Sequence, residues 1–152
     1  IHGLADLARP GVRLSLPNAE TEGVARQIAQ ALQKAGGDAL VHTVYTSKVQ
    51  DGSTFLTQIH HRQTPMRIRA DQSDAGVVWA SEVKFQQKIG NPIAGVPIAA
   101  SHNVTAVYAA GVVRGAPHPT AAAEWLDYLK SDEAQAASAE FGFRPSAGGT
   151  AQ

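Results

Sequence analysis

Strand-like and helix-like patterns alternate along the first part of this chain, and this alternation most constrains its fold. Residues 11–16 alternate between apolar and polar side chains, as a strand does. Residues 21–35 then place an apolar row at i, i+4 and i+8, as an amphipathic helix does, and residues 39–44 form a second strand pattern. Because a helix between two strands favours a right-handed parallel crossover, the sequence predicts the α/β class, with a mostly parallel sheet flanked by helices.

Capping and turn residues predict where further elements begin and end. Thr21 is the expected cap of the first helix, and Gly36-Gly37 the expected stop. A turn at Asp51-Gly52 precedes a short predicted helix, and Ser81 is the expected cap of another that ends at Gly90. The remaining predictions are strands at residues 93–99 and 104–113, and helices at residues 120–130, with Trp125, Leu126 and Leu129 buried, and 131–142.

The stretch from His60 to Ser81 contains the densest group of polar side chains and leads directly into an apolar strand pattern at residues 74–81. Thr64-Pro65 resembles a helix cap followed by proline in the first turn. A strand end beside a helix N-terminus is where open α/β sheets commonly bind ligands. We therefore expect a binding cleft around this stretch.

Composition limits the classes of partner. The chain has 152 residues, 43% of them hydrophobic and 17% charged, which fits one sizeable core or two small lobes. Thirteen basic and thirteen acidic residues give a formal net charge of zero, so nucleic acid and anionic membranes are not expected partners. The sequence has no cysteine and no apolar run long enough to insert into a membrane.

His60, His61 and Arg62 allow three interpretations. They could bind a metal, but neighbouring residues on a helix point about 100° apart and chelate poorly together. Arg62 with one histidine could instead grip an anion, because a guanidinium binds oxyanions in a bidentate manner. The third interpretation is a solvated helix end without a ligand.

The turn before the first predicted helix is a second candidate site. Gly23 lies in the first helical turn, where glycine costs about 1 kcal/mol relative to alanine. That cost is understandable if the backbone approaches a ligand closely. Glu22 argues against an anion there, because a carboxylate can already occupy the positive end of the helix.

Other chemistry-bearing residues have simpler explanations. Trp79, Tyr108 and Trp125 are expected in the core, where aromatic residues usually lie. No nucleophile elbow, phosphate-binding loop, dinucleotide fingerprint or zinc-protease motif occurs. We therefore expect a binding protein that has no catalytic residue and needs no cofactor or metal.

Five segments occur in an order that resembles the C-terminal part of bacterial extracellular solute-binding proteins of the molybdate/tungstate type. They are LPNAETEGVARQ (16–27), DAGVVWASE (74–82), VYAAGVV (107–113), HPTAAAEWLDYLKSDEAQ (118–135) and FGFRP (141–145). The resemblance implies a class II periplasmic binding fold that delivers a small oxyanion to the membrane permease of an ABC transporter. It also implies a periplasmic or extracellular location.

The resemblance also implies ligand-binding residues. Amides around Thr21, Glu22 and Gly23 would hold the oxyanion, a backbone amide near Val78 and Trp79 would contribute, and the Tyr108 hydroxyl would touch the ligand. The residues added from our own interpretation are His60, His61, Arg62 and Thr64. Two features depart from the family pattern: a carboxylate stands at Glu22, where small residues are usual, and the cluster at residues 60–62 is foreign to molybdate binders.

By the same resemblance, residues 1–103 form the second ligand-binding lobe and 104–114 a hinge with a crossing strand. Residues 115–152 would be C-terminal helices that normally pack on a first lobe, which we expect to precede Ile1. Those helices would then be covered by that missing lobe or by a second copy of the chain, as a swapped dimer. The alternative function is the effector-binding domain of a transcriptional regulator, since the same lobes occur behind DNA-binding heads.

Overall fold

The computed structural model describes residues 1–145. It divides into two compact units, Ile1–Thr105 and the chain from Ala106 onward, and each is described by itself. The boundary between lobe and hinge at residues 103 and 104 stays a prediction. No helix among residues 1–145 is long and apolar enough to cross a membrane.

A three-stranded parallel sheet forms the centre of the first unit. Strand β1 (Leu14–Leu16) lies between β2 (Thr54–Leu56) and β3 (Ala75–Gly76), and both neighbours run parallel to it. All three residues of β1 are buried because the strand has a neighbour on each edge. The mixed α/β class is therefore confirmed, whereas the class II detail stays a prediction.

Helix α1 (Val24–His42) is longer than predicted. Its apolar row of Val24, Ile28 and Leu32 is buried as expected. Gly36 and Gly37 leave helical geometry, Gly37 with a φ of 66°, so the first helical run does break at the predicted stop, and a second run follows after the kink. The N-cap is Gly23, without a side-chain hydrogen bond, so the predicted cap at Thr21 was wrong.

The predicted second strand at residues 39–44 was wrong, since this stretch continues the helix into a π-helical turn, Thr43–Ser47. Leu40 and Val44 explain the difference. They lie four residues apart, on one helical face, and both are buried in the core. A short apolar run fits the periodicity of a strand as well as that of a helix. Packing of Leu40 and Val44 against the core selects the helix here.

The strand that pairs with β1 comes from a segment predicted to be helical. Residues Thr54–Leu56 form β2, after the correctly predicted turn at Asp51-Gly52 and a short helix α2 (Lys48–Gln50). Ile59, expected on the apolar helix face, is 84% exposed. Pairing with β1 satisfies the backbone hydrogen-bonding groups of this segment. The local sequence could not predict the strand, because its partner is distant along the chain.

The central stretch keeps its predicted order but with different bounds. Helix α3 spans Gln63–Arg69 with Arg62 as its cap, so the predicted cap at Thr64 was wrong. Strand β3 is only two residues long. Helix α4 (Ala80–Lys88) has Trp79 as its N-cap, so the cap lies two residues before the predicted one at Ser81. Thr64 is 2% exposed, because its side chain points into the core instead of capping the helix.

Neither of the two later predicted strands forms. Residues 93–99 and 104–113 contain no assigned strand in the part of the chain that the structure describes. Within 106–113, Val107 and Val113 are 86% and 75% exposed. A strand without a paired neighbour leaves its backbone groups unsatisfied, so an apolar pattern alone does not produce one.

The second unit contains helices α5 (Pro119–Tyr128) and α6 (Asp132–Glu140). The Ser131 cap is confirmed, because its hydroxyl accepts a hydrogen bond of 3.3 Å from the Ala134 amide. No residue of α5 is buried, and Trp125 is 58% exposed, so its expected place in a core was wrong. The predicted C-terminal segment extends to residue 152, and its last seven residues lie outside the described chain.

Candidate functional site

The three segments that follow the sheet strands converge on one polar cluster. The segment after β1 supplies Glu22, the segment after β2 supplies His61 and Arg62, and the segment after β3 supplies Glu82 in the first turn of α4. Because parallel strands end at the same edge, these segments lie together at the carboxyl end of the sheet. That edge is where α/β sheets commonly bind ligands.

The close packing beneath this edge depends on Ser15, Thr64 and Gly76. The Thr64 hydroxyl lies 3.2 Å from the Ser15 hydroxyl and 3.3 Å from the Ser15 carbonyl oxygen. A Cβ on Gly76 would collide with the Ser15 carbonyl and with the Thr64 methyl group, so only glycine fits there. This contact places helix α3 against β1 and β3, and it holds the preceding residues 61 and 62 at the sheet edge.

Glu22 is a buried carboxylate, with a side chain only 8% exposed. Its Oε1 accepts a hydrogen bond from the Thr57 hydroxyl, and Thr57 is itself fully buried. Its Oε2 is buried without a hydrogen-bond donor among residues 1–145, and lies 3.7 Å from His61 Nδ1. One carboxylate oxygen is therefore satisfied and the other is not.

His61 stands between the two carboxylates. Its Nε2 lies 3.8 Å from Glu82 Oε2, so each ring nitrogen faces a different acid at a distance longer than a hydrogen bond. Burial, with His60 nearby, lowers the pKa of His61, and the two carboxylates only partly offset this. The imidazole is therefore mostly neutral at pH 7.

Glu82 is fully hydrogen-bonded, in contrast to Glu22. Its side chain is 4% exposed; Oε2 accepts a 3.2 Å bond from Arg62 Nε, and Oε1 accepts a 2.7 Å bond from Gln86 Nε2. Asn91 in turn donates to Gln86 over 2.5 Å. The Arg62 guanidinium also lies 4.6 Å from the centre of the Phe85 ring.

The structure brings together three of the predicted ligand residues, Glu22, His61 and Arg62. Arg62 remains 54% exposed, but its Nε already contacts a carboxylate of the protein. His60 stacks obliquely on His61 with ring centres 4.0 Å apart and accepts a bond from the Arg62 amide. Thr64 lies beneath the cluster, bonded to Ser15.

The other predicted ligand residues lie around or away from this cluster. Thr21 lies in the exposed turn before α1, and Gly23 lies at the end of that turn. A Cβ on Gly23 would meet nothing within 4 Å. Val78 and Trp79 form the partly exposed link between β3 and α4. Tyr108 belongs to the second unit, where it is 67% exposed and contacts Phe143 edge-on at 6.0 Å. Their ligand roles stay predictions.

Sequence reasoning missed Thr57, Glu82 and Gln86. Thr57 was hidden because the segment before it was predicted to be a helix and not a strand. Glu82 follows a predicted cap, where an acidic residue is ordinarily explained by the helix dipole. The spacing of Glu82 and Gln86, four residues apart on one helical face, was the available signal.

Residues 1–145 contain no group of three or more metal-ligating side chains arranged around one ion. The geometry of His61 gives the reason. Its two nitrogens face different carboxylates, so a single ion cannot contact Glu22, His61 and Glu82 together in this arrangement.

Comparison with known protein families matches residues 1–144 to the bacterial extracellular solute-binding protein model. The match covers most of the chain, which therefore belongs to this family. Comparisons with curated proteins and with solved structures gave no match. The resemblance found in the sequence is thereby confirmed at the level of the family.

Proposed function

We propose that this chain binds a small solute at the carboxyl edge of its parallel sheet and delivers it to an ABC transporter. The observation that carries the proposal is the convergence of Glu22, His61 and Glu82 from segments that follow three different strands. A cluster of buried charged groups at this edge favours a binding site, because a fold without a ligand gains little from burying two carboxylates.

The family supports the location and partner that this function requires. An extracellular solute-binding protein acts outside the cytoplasmic membrane, and the membrane permease of an ABC transporter would receive the solute. The regulator alternative would place the same lobe behind a DNA-binding head. The extracellular description of the family favours the transporter.

The resemblance to the molybdate/tungstate type makes an oxyanion the first solute to test. The exposed part of Arg62 supports an anion. Glu22 and Glu82 oppose it, because two buried carboxylates repel a dianion placed beside them. Tyr108 and the amides near Thr21, Gly23 and Val78 remain proposed contacts.

A thermal-shift panel on the 152-residue chain tests the proposal, with oxyanions, carboxylates, amines, sugars and amino acids as separate arms. At least one class should raise the melting temperature in proportion to the logarithm of ligand concentration. Deleting the gene should also abolish uptake of that solute by the bacterium. Solute binding without any uptake defect would contradict the transporter role and leave solute binding itself intact.

A further inference from the structure

Glu22 Oε2 is the unsatisfied atom of the cluster. The side chain is more than nine-tenths buried, its Oε1 is bonded to Thr57, and its Oε2 has no hydrogen-bond donor within the described chain. Glu82, four per cent exposed, has a donor for each oxygen. An unsatisfied buried acceptor destabilises a protein, and more so when it is charged, so its presence requires a functional reason.

The charge of the cluster points in the same direction. Arg62 balances one of the two carboxylates, through its bond to Glu82. The site holds two glutamate side chains against one arginine, and the lowered pKa of His61 means that the imidazole adds little positive charge. A ligand with one positive group would balance the second carboxylate, whereas an anion would be repelled by it.

We infer that the solute carries a positively charged nitrogen group, an ammonium or a guanidinium, that donates a hydrogen bond to Glu22 Oε2. This inference rests on the proposed function and specifies its substrate class. A metal ion fits less well, because the two nitrogens of His61 face different carboxylates. A nitrogen cation needs only one acceptor and tolerates the neutral ring beside it.

The side chains beside Glu22 are partly exposed. His61 lies against Glu22 Oε2 and is itself 19% exposed, and the neighbouring Arg62 is 54% exposed. In this proposal, rotation of the partly exposed imidazole exposes the carboxylate to the ligand. The ligand cation would then occupy the space beside Glu22 that the His61 ring leaves.

Isothermal titration calorimetry on the full 152-residue chain tests this inference, with agmatine and putrescine as cationic probes. Molybdate and sulfate serve as the anionic arm, and magnesium and zinc chlorides as the metal arm, at constant ionic strength. We expect an amine to bind and its affinity to fall at least about tenfold in Glu22→Gln. Glu20→Gln is the matched control, because Glu20 is exposed and lies two residues away; it should bind as the parent does.

The unliganded variants provide an independent measurement. Glu22→Gln should unfold at a higher temperature than the parent without ligand, since it removes an incompletely satisfied buried charge. A purely structural Glu22 would give the opposite result. If Glu22→Gln fails to fold, Glu82→Gln replaces it, and its amine affinity should fall because the site then loses negative charge.

Each other outcome overturns the inference in a distinct way. Amine binding that Glu22→Gln leaves unchanged shows that the contact lies elsewhere. Binding of anions alone, or of metals alone, refutes a cationic organic solute while solute capture stands. No binding by either amine also refutes it, and the wider thermal-shift panel then decides the proposed function separately.

Discussion

Gly76 and Ser15 are neighbours on adjacent parallel strands, and the hydrogen of Gly76 faces the backbone carbonyl of Ser15. A methyl group at Gly76 would overlap that carbonyl and the Thr64 side chain, neither of which can move freely. We expect Gly76→Ala to lower the free energy of unfolding by about 1–3 kcal/mol, as overpacking of a core does. Urea denaturation measures this change.

Gly23→Ala is the matched control, because a Cβ at Gly23 meets nothing within 4 Å and its φ of −57° suits any residue. This variant should raise the free energy of unfolding by about 0.4–1 kcal/mol, through a less flexible unfolded chain. Equal destabilisation by the two variants would show that close packing at Gly76 is not the cause.

Lowering the pH should destabilise the chain through His61. The pKa of folded His61 lies below the usual 6.5. Burial is the main cause and His60 the second, and Glu82 and Glu22 oppose them only in part. The unfolded chain therefore binds the proton more readily, and the free energy of unfolding should fall as pH drops below 6.5.

His61→Gln should remove that part of the pH dependence, whereas His60→Gln takes away only the second cause of the lowered pKa and should leave most of the dependence in place. Urea denaturation at intervals between neutral pH and the carboxylate range gives the comparison. A parent and a His61→Gln variant with parallel pH profiles would contradict the prediction.

Asp74 should stabilise the chain at neutral pH and lose this effect in acid. The side chain and backbone amide of Arg13 donate hydrogen bonds to its carboxylate, the shortest of 2.6 Å, and hold the pKa of Asp74 below its usual 3.8. Stability from this interaction is present above pH 3.8 and is lost as pH falls below it.

Asp74→Asn should accordingly melt at a lower temperature than the parent at pH 7. The difference between the two melting temperatures should become smaller in acid. Asp71→Asn is the control. The Asp71 carboxylate accepts one bond from Arg13, of 2.8 Å, and its side chain is 95% exposed. An equal decrease in melting temperature in both variants would show that the additional hydrogen bonds to Asp74 do not stabilise the chain.

Thr57 and Glu22 should be energetically coupled, because the hydroxyl supplies the donor for Glu22 Oε1. Thr57→Val keeps the shape but removes that donor, so it should lower the free energy of unfolding by about 1–3 kcal/mol. In a chain that already carries Glu22→Ala, Thr57→Val should lower the free energy of unfolding much less. Chemical denaturation of the four proteins of this cycle gives the coupling energy, and a value near zero would contradict the bond.

The second unit should associate with another copy of the chain. It exposes several large apolar side chains, and Trp125 and Tyr128 stack at 5.4 Å on α5 while 58% and 42% exposed. Covering one such side chain is worth about 1.5–3 kcal/mol. We expect a dimer in sedimentation velocity that Trp125→Lys dissociates.

Met66→Lys provides the comparison for this self-association, because Met66 is 63% exposed in the first unit and should leave the dimer intact. A monomer across micromolar concentrations would contradict exchange between copies.

The amphipathic helix at residues 24–32 was predictable, because its burial follows directly from the spacing of Val24, Ile28 and Leu32. The parallel class was predictable as well, from the alternation of patterns. The identity of the second strand was not. Leu40 and Val44 fit a strand or a helix equally well, and Thr54–Leu56 becomes a strand only through its pairing with β1.

The meeting of the two polar segments was predicted better than the contacts that they make. The polar cluster at residues 60–62 and the turn at Glu22 do meet, as adjacent loops of a parallel sheet should. The pairing of Arg62 with Glu82 could not be foreseen, because it depends on where α4 begins and on the rotation of its first turn. Charge complementarity is a property of that three-dimensional arrangement and not of the loop sequences.

The position of β1 at the centre of the sheet also determines when this chain can begin to fold during synthesis. Leu14 pairs with Thr54 on one edge and with Ala75 on the other, so β1 emerges from the ribosome long before either partner. Until β2 and β3 follow, the buried residues of β1 remain open to wrong contacts. A nascent chain whose β3 is still inside the ribosomal exit tunnel should therefore be cleaved by proteases within residues 14–16, and a longer chain whose β3 has emerged should be protected there.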